Sequence, residues 1–234
     1  MQQLQVGLGE PGLGTDLPEG SDAIECREGF WEINGGAKRA ADIVISLCAL
    51  VFLAPLMLVT FAAIKLDGGG AFFTQSRVGR GGKLFRMYKF RTMYTDAEAV
   101  LQRLLDADPH ARAEWNRFQK LRNDPRITRI GQFLRSSSID ELPQLLNVLK
   151  GNMSIVGQRP ILAHQREAYG VHITGYEQAR PGITGLWQVK GRNRLSFDQR
   201  AALGTDYVRR WSFSRDLWIL ILTVPALLFS AGAY

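Results

Sequence analysis

The feature that most constrains this chain is an apolar run over residues 43–64, "IVISLCALVFLAPLMLVTFAAI", which contains no charged residue. At the rise of an α-helix, this run forms about 33 Å of helix, enough to cross the hydrocarbon core of a bilayer. A cleaved signal peptide fits poorly, because the run begins beyond residue 40 and no small-residue cleavage site follows it. The alternative is a helix buried in the core of a globular protein. We therefore predict a membrane helix in this part of the chain.

The charges around this run predict how it enters the membrane. Lys38 and Arg39 precede it, and Lys65 follows it. Because positive charge favours the cytoplasmic side, a single crossing cannot satisfy both flanks. Pro55 lies near the middle of the run, where it removes one backbone hydrogen bond and bends a helix. We predict an anchor over residues 36–66 that enters the membrane, breaks at Pro55 and returns. A spanning helix is the alternative, since membrane helices also tolerate proline.

Composition separates the first residues from the rest. Residues 1–35 are rich in glycine and acids, and we predict a poorly ordered tail there. The net charge of +7 therefore comes from the later part of the chain. Such a surplus predicts a phosphate-rich partner, which is nucleic acid, an anionic membrane or a nucleotide substrate. Cys26 and Cys48 form neither a disulfide framework nor a zinc-binding spacing, and they favour a reducing compartment.

Alternation and helical spacing predict the elements between the apolar runs. Residues 67–93 alternate apolar and basic positions between glycines, which predicts a hairpin of two strands. Apolar residues at helical spacing over 96–122 predict two helices divided by Pro109. Two short apolar segments, "MSIVG" (153–157) and "GLWQV" (185–189), predict buried strands.

A second apolar run, residues 217–229, is too short to span a bilayer comfortably, and it contains Pro225. We predict an interfacial helix over 211–230, because tryptophans typical of a membrane surface stand at its start. The predicted fold class is α+β. A small cytoplasmic globule over 67–234, with short strands and amphipathic interfacial helices, is anchored by the N-terminal re-entrant helix.

The segment "RSSSIDELPQ", residues 135–144, places Asp140 beside Glu141 in an otherwise basic region. If Ser138 capped the following helix, Pro143 would fall where a missing N–H is felt. A helix that begins at Asp140 instead places Pro143 in the first turn, where the missing donor costs little. The two acids then stand at a helix N-terminus, which is also where a phosphate would be held. An ordinary helix cap explains the motif as well by local chemistry alone.

Two segments place arginine directly before proline in a glycine turn, "GQRP" (157–160) and "ARPGITG" (179–185). Such turns expose backbone N–H groups and fix the direction of the arginine, which predicts a phosphate cradle around Arg159 and Arg180. A surface arginine in an ordinary turn explains either segment taken singly. The stretch 77–91 interleaves six cations with aromatic residues, a pattern that is also typical of single-strand nucleic-acid surfaces. A membrane-tethered nucleic-acid-binding protein is therefore an alternative function.

Together these segments resemble the bacterial sugar transferases, or monotopic phosphoglycosyl transferases. The resemblance extends from Lys38 to the end of the sequence and follows the family order through "KRAADIVIS", "FFTQSRVGRGGKLFRMYKFRTM", "NDPRITRIGQFLRSSSIDELPQLLNVLKGNMSIVGQRP", "RPGITGLWQVKGRN" and "DYVRRWS". The short form that ends in "GAY" looks most like the galactosyl- or glucosyl-phosphate transferases that initiate exopolysaccharide synthesis. Two positions differ from the usual family pattern: Asn152 replaces an aspartate, and Gln158 replaces a proline.

The resemblance implies an activity. Family members transfer a sugar-1-phosphate from a nucleotide sugar, with UDP expected here, to undecaprenyl phosphate and release a nucleoside monophosphate. It implies a catalytic domain on the cytoplasmic face of the bacterial inner membrane, a Mg²⁺ cofactor and no nucleic acid as partner. A homodimer is a further expected partner, and the sequence does not determine the oligomeric state. A catalytically silent assembly scaffold is the further alternative, although the intact "DELPQ" argues against it.

The resemblance also implies roles for single residues. Asp140 is the expected nucleophile, which forms a covalent phosphosugar adduct, and Asp140 with Glu141 is the expected magnesium site. The first helix, with Lys38, Arg39 and Pro55, is the expected re-entrant anchor. Substrate- or phosphate-binding roles are implied for Arg135, Arg159, Pro160, Lys89, Arg91 and Arg192, beside the Arg180 that turn chemistry suggests.

Overall fold

The computed structural model describes residues 33–118, 121–191 and 195–228. All but the last three residues of the predicted 1–35 tail lie outside these ranges, as does Arg192. In chain order the helices and strands are α1 (Gly36–Leu66), β1 (Phe72–Val78), β2 (Leu84–Phe90), α2 (Ala97–Ala107), α3 (Pro109–Phe118), α4 (Arg129–Ser137), α5 (Gln144–Leu149), β3 (Ser154–Val156), α6 (Ile173–Gln178), β4 (Gly182–Thr184), α7 (Leu186–Lys190), α8 (Phe197–Arg209) and α9 (Phe213–Leu228).

The mixture of helices and two small sheets confirms the α+β prediction. Strands β1 and β2 pair antiparallel, from Phe72 opposite Phe90 to Val78 opposite Leu84, and confirm the predicted hairpin. The turn between them contains Gly81 and a following glycine, both at positive φ, a conformation that glycine adopts without steric cost. Helices α2 and α3 confirm the predicted pair, because α3 begins at Pro109.

One predicted strand is confirmed and one is wrong. Residues Ser154–Val156 form β3, but the strand beside it is Gly182–Thr184, and the two run parallel. The predicted strand "GLWQV" is instead helix α7, which begins directly after the extended Gly185. A five-residue apolar run does not distinguish a strand from one turn of a buried helix. Here Leu186 and Trp187 are buried in the helical form.

Helix α1 is long and apolar enough to cross a membrane, and it is the one such helix in the described ranges. Its middle is exposed, as Val51 and Phe52 are 78% and 83% accessible, whereas Ser46 and Thr60 towards its two ends are buried. Pro55 lies inside the helix with helical residues on both sides. Helical residues therefore continue through Pro55, where the missing N–H bends a helix, and the predicted re-entrant path stays a prediction.

The two cations before the apolar run attach α1 to the rest of the protein. Lys38 is 5% exposed and contacts Asp216 at 2.6 Å and Asp42 at 3.5 Å. Arg39 donates hydrogen bonds to the last two carbonyls of α5, at 2.7 and 3.0 Å. The Val148 carbonyl also accepts from the Gly151 N–H at 2.9 Å, so Arg39 and the following turn together cap this helix end. The predicted anchor residues thus bind protein groups.

The C-terminal helix α9 lies within the predicted interfacial segment 211–230. Ile219 and Asp216 are buried against the globule, and Ile219 belongs to the main apolar cluster. Other apolar side chains of the same helix, including Trp218 and Ile221, are exposed. The helix is thus amphipathic, with one face on the core and one apolar face uncovered.

Candidate active site

The two acids lie in a short turn that joins α4 to α5. Residues Ile139–Glu141 form a 3-10 turn, and α5 begins only at Gln144, after Pro143. The predicted helix start at Asp140 is therefore wrong. Ser138, at φ 59°, ends α4 in the left-handed conformation and redirects the chain before the acids.

Lys89, near the end of β2, binds both carboxylates. Its ammonium lies 2.7 Å from Glu141 Oε1 and 3.4 Å from Asp140 Oδ2. Within the described ranges, Lys89 is the hydrogen-bond partner seen for both side chains. One cation thus holds two neighbouring acids, and their other oxygen lone pairs remain available to a ligand.

The surroundings shift the pKa values of the two acids in opposite directions. Burial raises the pKa of the Asp140 carboxyl, although the ammonium of Lys89 opposes this. Burial disfavours the charged form of Glu141 too, but Lys89 and Arg159 together outweigh it and lower the pKa of Glu141. Two acids with divergent pKa values in one site are typical of a division of chemical roles.

The two predicted Arg-Pro turns lie against each other. The Gly182 N–H donates to the carbonyl of Gln158 at 2.7 Å, and the Gly157 N–H donates to that of Thr184 at 2.9 Å. A Cβ on Gly157 would lie 2.7 Å from the Gly182 nitrogen, and a Cβ on Gly182 would lie 2.1 Å from the Gly157 nitrogen. Glycine at both positions is thus required for this close approach.

A small open cleft lies between the hairpin, the acid turn and the two Arg-Pro turns, with about 260 Å³ of empty space including its mouth. Its lining includes Arg77, Lys89, Glu141, Arg159, Pro160 and Gln188. The structure thus brings together Lys89, Glu141, Arg159 and Pro160, as predicted, with Asp140 attached through Lys89. Three cations and one ionised acid that line an open cleft suit a ligand with phosphate groups.

Arg77 is a cleft residue that the site prediction missed. It donates to the Pro160 carbonyl at 3.2 Å and to Gln75 at 2.7 Å. Burial and the nearby Arg159 guanidinium lower the pKa of Arg77 to about 10. The hairpin alternation offers a signal for it, because Arg77 lies opposite Phe85 and so shares a sheet face with Lys89. Gln188 of α7 carries no comparable signal.

Arg135 lies beside the acids and is held by another element. Its Nε donates to Thr92 Oγ1 at 2.9 Å. Burial lowers the pKa of Arg135, while the charges of Asp140 and Asp124 oppose that shift. Arg135 therefore acts on Asp140 through its charge, without an ion pair between them.

Two predicted phosphate-binding arginines bind backbone carbonyls elsewhere. Arg91 donates to the carbonyls of Ile64, at 3.1 Å, and Gly68, at the end of α1. Arg180 donates to the Gly151 carbonyl at 2.9 Å. Neither lines the cleft. Each of these arginines thus has a backbone partner outside the cleft lining and further N–H groups beside it, and the predicted phosphate contact of both stays a prediction.

The basic stretch 77–91 is thus divided among different tasks. Arg77 and Lys89 face the cleft, whereas Arg91 holds the end of α1. The Lys150 ammonium lies 4.5 Å from the centre of the Tyr88 ring, and the backbone N–H of Tyr88 donates to the Asn147 side chain. These residues thus contribute both to the cleft and to the packing of α1 and α5 against the hairpin.

Gln158, which differs from the usual family pattern, is buried, and its side-chain amide donates to the Gly175 carbonyl at 3.2 Å. A Cβ on Gly204 would lie 2.2 Å from its Oε1, so the glutamine fills space that this glycine leaves open. Asn152 lies in the turn after α5, where its N–H donates to the Asn147 carbonyl. Gln158 is thus packed inside the protein between Gly175 and Gly204, and Asn152 is held through its backbone N–H.

The chain matches the family model "Bacterial sugar transferase" over residues 33–230. It belongs to the bacterial sugar transferase family. This confirms the predicted family, and the match includes every described element of the cleft.

Curated relatives of this bacterial sugar transferase include the undecaprenyl-phosphate galactose phosphotransferase of Salmonella typhimurium, at 49% identity over 197 residues, which are 84% of this chain and 41% of the relative. The exopolysaccharide production protein ExoY of Rhizobium meliloti is 42% identical over 219 residues, 93% and 94% of the two chains. The UDP-glucose:undecaprenyl-phosphate glucose-1-phosphate transferase of Caulobacter vibrioides is 42% identical over 206 residues, 84% and 72%. The chain thus spans about two fifths of the Salmonella relative and nearly all of the Rhizobium one.

Proposed function

We propose that this protein transfers a hexose-1-phosphate from a UDP-hexose to undecaprenyl phosphate, giving undecaprenyl-diphospho-sugar and UMP. The observation that carries the proposal is the pair Asp140 and Glu141, bound by Lys89 at a cleft that Arg159 also lines. Relatives whose names state transfer of galactose phosphate or glucose phosphate to this lipid support the reaction class. The product would begin the synthesis of an exopolysaccharide or another glycoconjugate, in line with the name of the Rhizobium relative.

In the first step an Asp140 oxygen attacks the phosphorus that carries the sugar. The bond from that phosphorus to the bridging oxygen breaks, UMP leaves, and the sugar phosphate is joined to Asp140 as an acyl phosphate. Attack of an anion on a diphosphate requires positive charge around both groups. Lys89 neutralises the attacking side, and Arg159 and Arg77 line the cleft where the leaving phosphate would lie.

In the second step an oxygen of undecaprenyl phosphate attacks the same phosphorus. The bond to Asp140 breaks, the free carboxylate returns, and the lipid carries the diphosphate and the sugar. Two displacements through a covalent adduct mean that the soluble donor and the lipid acceptor need not be bound together. One small cleft can then serve both substrates in turn.

Magnesium fits the residues at this cleft. The carboxylates of Asp140 and Glu141 are adjacent, and a lysine ammonium bridges them, so the position already attracts positive charge. Mg²⁺ in phosphate-handling sites is held by one or two carboxylates with the substrate's phosphate oxygens. No cluster of three or more metal-ligating side chains occurs in the described part of the chain, so further ligands would come from substrate and water. When bound there, the ion would neutralise charge that develops on the diphosphate.

We further propose that α1 is a re-entrant anchor on the cytoplasmic face of the inner membrane. Lys38 near its start pairs with Asp216 of α9, and Ile64 near its end packs with Phe90 of β2. Because both ends contact one globule, they cannot lie on opposite sides of a bilayer while docked. The exposed apolar middle would then enter the lipid from one side and hold the cleft near the lipid phosphate.

Release of nucleoside monophosphate tests the reaction. The purified protein with undecaprenyl phosphate should release UMP from at least one member of a panel that includes UDP-galactose and UDP-glucose. Omission of the lipid should limit release to about one equivalent per enzyme, because the sugar phosphate then stays on Asp140. No release with any nucleotide sugar would support the scaffold alternative instead.

Labelling of single cysteines tests the anchor. In a variant without Cys26 and Cys48, cysteines placed at Gly36 and at Leu66 should both resist an impermeant thiol reagent added from the periplasmic side. Both should react after the membrane is opened. Labelling of either position from the periplasm would favour a spanning helix.

A further inference from the structure

Arg200 lies close to Arg159, an arginine that lines the cleft, and Arg200 takes no part in the two reaction steps proposed above. The guanidinium carbons of Arg159 and Arg200 lie 5.5 and 5.2 Å from the ring centre of Trp187. Trp187 is 6% exposed, on helix α7, and Arg200 is on helix α8. One buried indole thus holds two guanidinium groups by cation–π contact.

These arginines have no acidic partner in the described ranges. No ion pair with a carboxylate is formed by Arg77, Arg159 or Arg200, whereas Arg126, Arg166 and others each pair with an acid. The Arg200 Nε donates to the Leu195 carbonyl at 3.1 Å. Burial and the charge of Arg159 lower the pKa of Arg200, which agrees with two like charges held close together. Such a cluster is stabilised when an anion binds between its members.

We propose that Arg200 binds the diphosphate group of the nucleotide sugar together with Arg159, which makes Arg200 a substrate-binding residue. Both guanidinium carbons lie within 5.5 Å of one ring centre, so they are no further apart than twice that distance. A diphosphate bridges such a separation with one guanidinium at each phosphate group, and planar guanidiniums suit this contact better than lysine. The inference rests on the proposed function, which supplies the diphosphate substrate.

A purely structural role for Arg200 would lie in its hydrogen bond to Leu195, which holds the chain before α8. Arg200→Gln keeps a side-chain donor for that carbonyl and removes the charge, and Arg200→Lys keeps the charge. The two variants therefore separate anchoring of the chain from binding of an anion. Arg166→Gln is the matched control, because Arg166 is an exposed arginine already paired with Glu177 at 2.8 Å.

The first measurement is titration of the full chain in detergent with inorganic pyrophosphate and magnesium, which requires no turnover. Arg200→Gln should weaken binding about tenfold, Arg200→Lys less, and Arg166→Gln not at all. Unchanged binding in Arg200→Gln would overturn the proposal. Equal losses in Arg200→Gln and Arg200→Lys with a lowered melting temperature would overturn it in favour of a structural role.

The second measurement separates the two phosphate sources. Arg200→Gln should raise the KM for the nucleotide sugar about tenfold and leave the KM for undecaprenyl phosphate unchanged. A rise confined to the lipid KM would assign the anion to the acceptor and overturn the proposal. Failure of the wild type to release nucleoside monophosphate would reject the proposed function, whereas the pyrophosphate titration would still decide whether Arg200 binds a diphosphate.

Discussion

Two lysines in this protein each bind two carboxylates, and their settings differ. Lys38 contacts Asp42 and Asp216 with 6% of its side chain exposed, whereas Lys89 contacts Asp140 and Glu141 with 19% exposed. The first cluster joins α1 to α9 inside the protein. The second lies at the cleft.

The acids of the two clusters also differ in how completely they are hydrogen-bonded. Asp42 accepts from the Ser154 hydroxyl and the Ile155 N–H, both at 3.0 Å, and Asp216 accepts from the Tyr207 hydroxyl at 2.6 Å. Asp140 and Glu141 are bound by Lys89 alone among the described residues. A buried lysine between two acids therefore indicates a structural cluster when those acids also accept hydrogen bonds from neighbouring protein groups. It indicates chemistry when their lone pairs are still available.

Removal of the proposed nucleophile should have the largest effect. Asp140→Asn should lower the rate of UMP release at least about 10³-fold, because the covalent step is lost. Stability should stay equal or rise slightly, since burial disfavours the Asp140 carboxylate. Asp106→Asn, at an exposed acid on α2, is the control and should keep full activity. Near-normal turnover of Asp140→Asn would reject Asp140 as the nucleophile.

Removal of the buried Lys38 should mainly affect stability. Lys38→Met leaves Asp42 and Asp216 buried without their counter-charge and should lower the free energy of unfolding by about 3–5 kcal/mol. Chemical denaturation in detergent measures it. Lys65→Met, at an exposed lysine of the same helix, should change stability little. A large loss of stability in Lys65→Met and none in Lys38→Met would contradict a structural role for the cluster of Lys38, Asp42 and Asp216.

Removal of Lys89, which lies at the cleft, should mainly lower the rate of UMP release. Lys89→Met leaves two adjacent acids without their shared cation, and we expect about a 10²-fold loss of UMP release. The loss of stability should be smaller than for Lys38→Met, because water and ions reach the cleft. Parallel denaturation and kinetic measurements on both variants check this. Equal losses of stability would show that the two clusters do not differ as described.

The arginines offer the smallest contrast. Arg91→Gln should lower the free energy of unfolding by about 1 kcal/mol, because donors to the end of α1 are lost, and should leave kcat unchanged. Arg159→Gln should leave stability unchanged, since Arg159 is exposed, and should raise the KM for the nucleotide sugar. A raised KM in Arg91→Gln and a lowered stability in Arg159→Gln would instead indicate that Arg91 binds the phosphate.

Local patterns in the sequence predicted much of the fold. Alternation predicted the hairpin, and Pro109 predicted the division between α2 and α3, because both signals act within a few residues. The prediction of a helix start at Asp140 rests on the position of Pro143, whereas the acids lie in a separate turn that follows Ser138. The left-handed conformation of Ser138 follows from how α4 ends, which residue spacing does not reveal.

Residue type predicted the candidate site less completely than it predicted the fold. Arg91, Arg159 and Arg180 are all predicted to bind phosphate, yet two of them donate to backbone carbonyls and one faces the cleft. That difference depends on which carbonyls other elements leave without partners, and it is set by tertiary packing. Arg200 was missed for the same reason, because its approach to Trp187 requires α7 and α8 to pack together.

The contact between Lys38 and Asp216 has a consequence for the order of folding. Asp216 lies on α9, so a ribosome must add nearly every described element before α1 can receive its partner. Until then the nascent chain exposes an apolar helix whose docking groups are not yet made. We expect stable seating of α1 on the globule to be a late event, after synthesis of α9. A chain shortened before Asp216 should therefore associate with membranes without acquiring resistance to proteolysis.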